Sequence, residues 1–155
     1  MTDGAETIAD PAQWTDAPWM PFAFGEMGVK EIPGIEDNPR IVEYHASTAG
    51  PRRVKDETPW CSSFVNWCVT QAGLDGTRRK SARSWLRWGV QSLPTIGSVC
   101  VLWRVNPVGV YGHVGFYLGR TGNNVILLGG NQKNSVCVST YPAARVLQNR
   151  TIKHA

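Results

Sequence analysis

The apolar residues in the first half of the chain recur three and four positions apart, which is the spacing of amphipathic helices. Residues 18–30 follow this spacing and predict a short first helix. A second helix is predicted to start at Asn38 and Pro39, because asparagine caps helices and proline suits the first helical position. Another is expected from about Ser81 to Trp88. The first half of the chain is therefore predicted to be helical.

The stretch from Thr58 to Cys68 predicts a central helix. Thr58 is a suitable N-cap and Pro59 suits the first position, so we expect this helix to run from Pro59 to about Ala72. Cys61 then lies in the first turn, where unsatisfied backbone N–H groups and the helix dipole favour an anion such as a thiolate. Taken alone, the stretch fits a small buried hydrophobic residue at Cys61 equally well.

After Pro94 the pattern changes to short runs of β-branched and aromatic residues separated by Gly, Asn and Pro. Four strands are predicted, at residues 98–103, 113–118, 124–128 and 135–139. Their connections are short, which indicates an antiparallel meander. Helices followed by strands predict an α+β domain, with the central helix packed on one face of the sheet.

Composition limits the size and setting of the protein. The chain has 155 residues, of which 42% are hydrophobic, enough for one domain with a core and too few for a second full domain. We expect a flexible lead-in over residues 1–17 and a single domain over residues 18–155. Neither a membrane-spanning run nor a secretory signal is found, so we expect synthesis in the cytoplasm and no stable membrane insertion.

The net charge of +4 favours an anionic partner, such as nucleic acid, an anionic membrane surface or an anionic cell-wall polymer. Basic residues gather at positions 52–53 and 78–87, where they fit a solvated surface as well as a binding site. No nucleic-acid-binding motif accompanies them, so nucleic acid is not expected as the partner.

The four cysteines are Cys61, Cys68, Cys100 and Cys137. Cys61 and Cys68 are seven positions apart on one predicted helix, about 10 Å along its axis, which is too far for a disulfide. Cys100 and Cys137 fall in predicted strands and could be neighbours, although two free thiols are favoured. The chain has no Cys-x-x-Cys pair and no histidine pair at ligand spacing, so neither a metal nor a cofactor is expected.

A nucleophilic Cys61 needs a general base and a group that orients the base. Of the three histidines, His154 is next to the C-terminus. His45 lies near the end of an early helix, where a capping or surface role is expected. His113 remains, at the head of a predicted strand. On its own it fits a half-buried strand residue equally well.

The third group is expected where the next strand ends, in Gly129-Gly130-Asn131-Gln132. Asn131 is the better candidate of the two amides, because an amide oxygen can accept the imidazole N–H and hold the tautomer of the ring. Taken alone, these four residues fit a turn. Gly112 and Gly115 are expected to leave space around the ring of His113, as a substrate cleft requires.

Three stretches in this order carry a resemblance to a known family: Pro59-Trp60-Cys61-Ser62-Ser63-Phe64-Val65-Asn66-Trp67-Cys68, Gly112-His113-Val114-Gly115-Phe116-Tyr117 and Leu128-Gly129-Gly130-Asn131-Gln132. The chain resembles the small stand-alone CHAP and NlpC-type cysteine peptidases, the papain-like amidohydrolases of bacterial peptidoglycan. The resemblance covers about residues 18–150 and implies a papain-like α+β fold. NlpC-type enzymes usually have Asp where this chain has Trp60, and many have His in place of Asn131, so the CHAP side fits better.

The resemblance implies Cys61 as nucleophile, His113 as general base and then acid, and Asn131 as the residue that orients His113. It implies a peptidoglycan hydrolase that cleaves an amide bond, either within the stem peptide or between the muramoyl group and L-alanine. The alternative is a non-catalytic cell-wall-binding module on the same fold.

The resemblance also bears on the setting. With no secretory signal, it suits an interbacterial effector or a phage-type lysin, acting in the periplasm or cell wall after release by a secretion apparatus or by lysis. We expect peptidoglycan as the partner, an immunity protein in the effector case, and a monomer.

Overall fold

A computed structural model describes residues 16–33, 37–50 and 59–152. The helices are α1 (Met20–Gly25), α2 (Pro39–Ala46) and α3 (Cys61–Gln71), with short 3₁₀ helices at Ala82–Arg87 and Ala143–Arg145. The strands are β1 (Val90–Ser92), β2 (Val99–Trp103), β3 (Gly112–Thr121), β4 (Asn124–Gln132), β5 (Ser135–Pro142) and β6 (Val146–Thr151).

The strands form one antiparallel sheet in the order β1-β6-β2-β3-β4-β5. The four predicted strands are β2 to β5, and they form the predicted meander. The α+β fold class is confirmed, since α3 packs on β3 and β4. The sequence analysis missed β1 and β6. Both are short and lack the run of apolar residues by which the other strands were found.

The predicted start of α2 is confirmed, whereas α3 starts later than predicted. Asn38 caps α2, where its side chain accepts from the backbone N–H of Arg40 at 2.8 Å. Helix α3 begins at Cys61, two residues later than predicted, with Trp60 in the N-cap position. Thr58, the predicted cap, lies outside the described residues. The segment predicted to form another helix is the first 3₁₀ helix.

The start of α3 is held close to β4 by a glycine. A Cβ atom built on Gly130 falls 2.7 Å from both Cβ of Phe64 and Cζ3 of Trp60, so only a residue without a side chain allows this approach. The indole of Trp60 is fully buried and donates to the carboxylate of Glu31 at 2.9 Å. These contacts determine where the first residue of α3, Cys61, lies relative to the sheet.

All four thiols are free. Cys100 on β2 and Cys137 on β5 are separated by two strands, so the alternative in which they are neighbours is wrong. Cys68 is fully buried in the core between the helices and the sheet.

Within the described ranges, no cluster of three or more His, Cys, Asp or Glu side chains could hold a metal ion. No helix among the described residues is long and apolar enough to cross a membrane. Residues 1–15 of the predicted lead-in lie outside the described residues, and the domain organisation stays a prediction.

Candidate active site

Cys61 is the first residue of α3 and its side chain is almost buried, with 6% of the residue exposed. Burial raises the pKa of its thiol, but a hydrogen bond with His113, the charge of that ring and the backbone N–H groups of Val114 and Ser62 outweigh burial. The net effect holds the pKa of Cys61 below the ordinary range. The sulfur therefore favours the thiolate, as the position at a helix start also does.

His113 is the second residue of β3 and is 7% exposed. Burial lowers its pKa, but the hydrogen bond and negative charge of Cys61 and a hydrogen bond to Gln132 raise it above the ordinary value. The opposite shifts of the two pKa values favour a thiolate–imidazolium pair. Because the two groups interact so closely, they titrate as a unit rather than separately.

Gln132, at the end of β4, holds a proton on Nε2 of His113. Its amide nitrogen donates to the carbonyls of Leu127 at 3.2 Å and Cys137 at 2.7 Å, which turns Oε1 toward the ring. Nε2 of His113 lies 2.9 Å from this oxygen and must be the donor, because a carboxamide oxygen only accepts. Nδ1 is thereby left for the thiol of Cys61.

The expectation from sequence that Asn131 makes this contact is wrong, because Gln132 makes it. A β-bulge is the reason. Gly129 pairs with Cys137 and Gln132 pairs with Ser135. Between these two pairs β4 advances by three residues and β5 by two, so β4 contains one extra residue. One extra residue in a strand moves every following side chain to the opposite face of the sheet.

The residues before the bulge show which face is which. A Cβ built on Gly130 would point toward α3. One built on Gly129 falls 2.5 Å from Oε1 of Gln132, on the side of the sheet where His113 lies. Without the bulge, alternation from Gly129 would place the side chain of Asn131 on the same side as His113. With the bulge, the side chain of Gln132 lies there instead. Asn131 has a left-handed backbone, with φ of 57°, and lines the cavity next to Cys61 and His113.

The glycines beside His113 do not open space for a substrate, contrary to the expectation from sequence. A Cβ on Gly112 falls 2.7 Å from the backbone oxygen of Leu102. One on Gly115 falls 3.2 Å from the backbone oxygen of Leu128 and 3.5 Å from Oε1 of Gln132. Protein atoms therefore fill this space, and the glycines allow the strands and the side chain of Gln132 to come close to the histidine.

A cavity of about 340 Å³ lies beside Cys61. It is lined by Cys61, His113 and Asn131 together with three residues that sequence reasoning missed: Arg104, Tyr141 and Arg145. The ring of Tyr141 lies 4.9 Å from that of His113. Burial and the nearby thiolate raise the pKa of its hydroxyl, which stays neutral. No local sequence pattern marks these three residues, because Arg104 lies far along the chain from Tyr141 and Arg145 and only the fold brings them to one cavity.

His45 does not line this cavity. It is fully buried, and its Nδ1 lies 2.7 Å from the hydroxyl of Ser63 on α3. It therefore connects α2 to α3, so the expectation of a surface or capping role is wrong.

Comparison with known proteins adds the following. The family model described as "CHAP domain" matches residues 53–131, just over half of the chain. Among solved structures, the chain is similar to a protein from Staphylococcus aureus subsp. aureus Mu50 described as "similar to lipoprotein, NLP/P60 family", with 16% identity and a TM-score of 0.41. The match covers 80% of this chain and 45% of that one, so the chain spans less than half of its length. No curated protein matches this sequence.

Proposed function

Since the chain belongs to the CHAP domain family, a family of peptidoglycan hydrolases, we propose that it cleaves an amide bond of the peptidoglycan stem peptide with Cys61 as its nucleophile. The observation that carries the proposal is the continuous set of contacts from Cys61 through His113 to Gln132. It supplies a nucleophile, a base and an orienting group in the order that a thiol hydrolase requires.

In the proposed reaction, the thiolate of Cys61 attacks the amide carbonyl carbon and the C=O electrons move to the oxygen. The backbone N–H of Cys61, one of the unsatisfied donors at the start of α3, is placed to stabilise that oxyanion. The imidazolium of His113 gives its Nδ1 proton to the nitrogen as the C–N bond breaks, which leaves a thioester on Cys61 and releases the amine.

Water completes the cycle. His113, now neutral, takes a proton from a water molecule as the water oxygen attacks the thioester. The C–S bond then breaks, and the carboxylic acid leaves the site. Throughout, Gln132 holds the ring of His113 in one orientation without adding charge. The three hydrogen bonds that fix its carboxamide support this role.

The proposal is tested by digesting isolated sacculi with purified protein and identifying the released fragments by mass spectrometry. We expect new peptide ends with the wild type and none with Cys61→Ala or His113→Ala. Cys68→Ala is the matched control, because this thiol lies two turns further along α3 in the core, and it should retain activity. Equal release by Cys61→Ala and wild type contradicts the proposal. Binding without release, even by the wild type, identifies a wall-binding module instead.

We further propose that the protein acts in the periplasm or cell wall, either as an interbacterial effector or as a phage-type lysin. Membership of the CHAP domain family supports this proposal, because the peptidoglycan on which that family acts lies in the cell wall. A neighbouring gene for an immunity protein is expected in the first case and one for a holin in the second.

A further inference from the structure

The cavity beside Cys61 contains two guanidinium groups, and neither has a protein carboxylate as a partner among the described residues. Arg104 directly follows β2, and Arg145 ends the second 3₁₀ helix. The ion pairs formed within the described residues both belong to Arg40, which does not line this cavity. No Asp or Glu of the described part of the chain lines the cavity either, so the two guanidinium groups have no carboxylate partner there.

The two arginines are held differently. The guanidinium carbon of Arg145 lies 5.1 Å from the centroid of the Trp103 ring. This stacking occupies its face and leaves the N–H groups on its edge free to donate. Arg104 is near enough to the reacting pair that its charge joins burial in opposing the rise of the His113 pKa. Both side chains are exposed, and neither donates a hydrogen bond to another described residue, so their donors are available to a ligand in the cavity.

We propose that Arg104 and Arg145 form a subsite for a free carboxylate of the substrate, close to the amide bond that is cleaved. This inference rests on the proposed function. A guanidinium has a planar fork of donors that fits the two oxygens of a carboxylate, and such charge-assisted pairs are strong in a partly enclosed site. The stem peptide carries such groups on D-glutamate, whose α-carboxylate is free, and on diaminopimelate.

The subsite has a consequence for bond choice. At the bond between D-glutamate and diaminopimelate, the residue that supplies the scissile carbonyl also bears a free carboxylate. At the bond between the muramoyl group and L-alanine, neither flanking unit bears one. A carboxylate subsite beside the sulfur therefore favours cleavage within the peptide.

The test uses soluble muropeptides that differ only in one carboxylate. One pair has D-glutamate or its α-amide, and the other has free or amidated diaminopimelate. For one pair we expect kcat/KM of the wild type to fall about 10- to 100-fold on amidation, the usual cost of losing a charge-assisted hydrogen bond. The pair that shows the fall identifies which carboxylate is bound.

Arg104→Gln and Arg145→Gln should lower kcat/KM for the carboxylate substrate much more than for its amide, so that the preference between the two substrates disappears. Arg120→Gln is the matched control, because it removes the same charge from an exposed position near the β3–β4 turn and should preserve the preference. If the arginines are only structural, both substrates slow equally and the preference remains, which overturns the inference.

The two proposals fail in distinguishable ways. Equal wild-type rates on free and amidated substrates overturn the carboxylate subsite and leave the hydrolase proposal standing. No cleavage of any muropeptide or of sacculi by the wild type overturns both.

Discussion

At the scale of single residues, the feature that most constrains the chemistry is the carboxamide of Gln132. Its two N–H groups are committed to backbone carbonyls and its oxygen to Nε2 of His113, so it cannot turn without breaking three hydrogen bonds. A neutral group with a fixed orientation holds the tautomer of the ring without competing with the thiolate for its charge.

Replacement of this carboxamide separates the two candidate orienting residues. We expect Gln132→Ala to reduce kcat about 10- to 100-fold, because the imidazolium loses a hydrogen bond that stabilises its charge and position. Asn131→Ala should cost much less, since Asn131 lines the cavity without this contact. The measurement is muropeptide turnover, with thermal unfolding as the control for folding. A larger loss in Asn131→Ala contradicts the assignment.

The pairing of Cys61 with His113 predicts the pH dependence of thiol reactivity. The hydrogen bond and charge of His113 contribute to lowering the pKa of Cys61. Its thiolate should therefore persist below about pH 8.5, where an ordinary cysteine titrates. In His113→Ala, burial raises the pKa and the histidine no longer opposes it, so reactivity near neutral pH should fall. The measurement is the rate of alkylation by iodoacetamide against pH, followed at each cysteine by peptide mass spectrometry.

Two of the other cysteines, Cys68 and Cys100, provide internal controls for that experiment. Burial raises the pKa of Cys68, and for Cys100 it raises the pKa to about 12. Neither should react at neutral pH in the folded protein. An unchanged alkylation profile of Cys61 in His113→Ala contradicts the ion pair.

At the scale of elements, two adjacent glycines of β4 have different tasks because they face opposite sides of the sheet. Gly130 allows α3 to approach, and Gly129 makes room for the side chain of Gln132. Gly130 therefore contributes to the packing of α3, and Gly129 to the position of His113.

Alanine substitutions should separate these tasks. Gly130→Ala should lower the free energy of unfolding by about 1–3 kcal/mol through overpacking against α3. Gly129→Ala should displace Gln132 and reduce kcat more than stability. Gly25→Ala is the control, because a Cβ there meets nothing within 4 Å. Thermal unfolding and turnover measured on the same preparations check both results, and equal effects of the two β4 variants on both quantities contradict this division.

At the scale of the whole molecule, two apolar clusters lie on opposite faces of the sheet. The larger is between the helices and the sheet and contains Cys61, while the smaller contains Leu102, which pairs with His113 across β2 and β3. Cys61 and His113 thus come from different layers and meet where β2 ends and β3 begins. Loss of packing in either layer should therefore disturb the site.

The net charge of +4 adds a prediction at this scale. Attraction to anionic wall material should be screened by salt, so the fraction of protein that sediments with sacculi should fall between about 0.05 and 0.5 M NaCl. Cys61→Ala keeps the sacculi intact during the measurement, and an uncharged solute at equal osmolarity is the control. Binding that does not change with salt shows that charge makes no contribution.

Much of the fold could be predicted from local patterns. The cap at Asn38 and the four-strand meander follow from residue type and periodicity, and both are present in the structure. The start of α3 was misplaced by two residues, because Thr58 and Pro59 also suit a helix start while the approach of Trp60 to Gly130 is a tertiary contact. Strands β1 and β6 could not be found, since their pairing partners determine them more than their own residues do.

For the candidate site, local patterns were enough to identify the side chains that could act: a cysteine at a helix start, a histidine at the head of a strand, and an amide after two glycines. Which amide meets the histidine, and which charges face the cavity, depends on contacts between distant parts of the chain. A bulge of one residue reverses side-chain alternation, so Gln132 rather than Asn131 reaches His113. Arg104 and Arg145 are 41 positions apart in the sequence, and only folding brings both to the sulfur of Cys61.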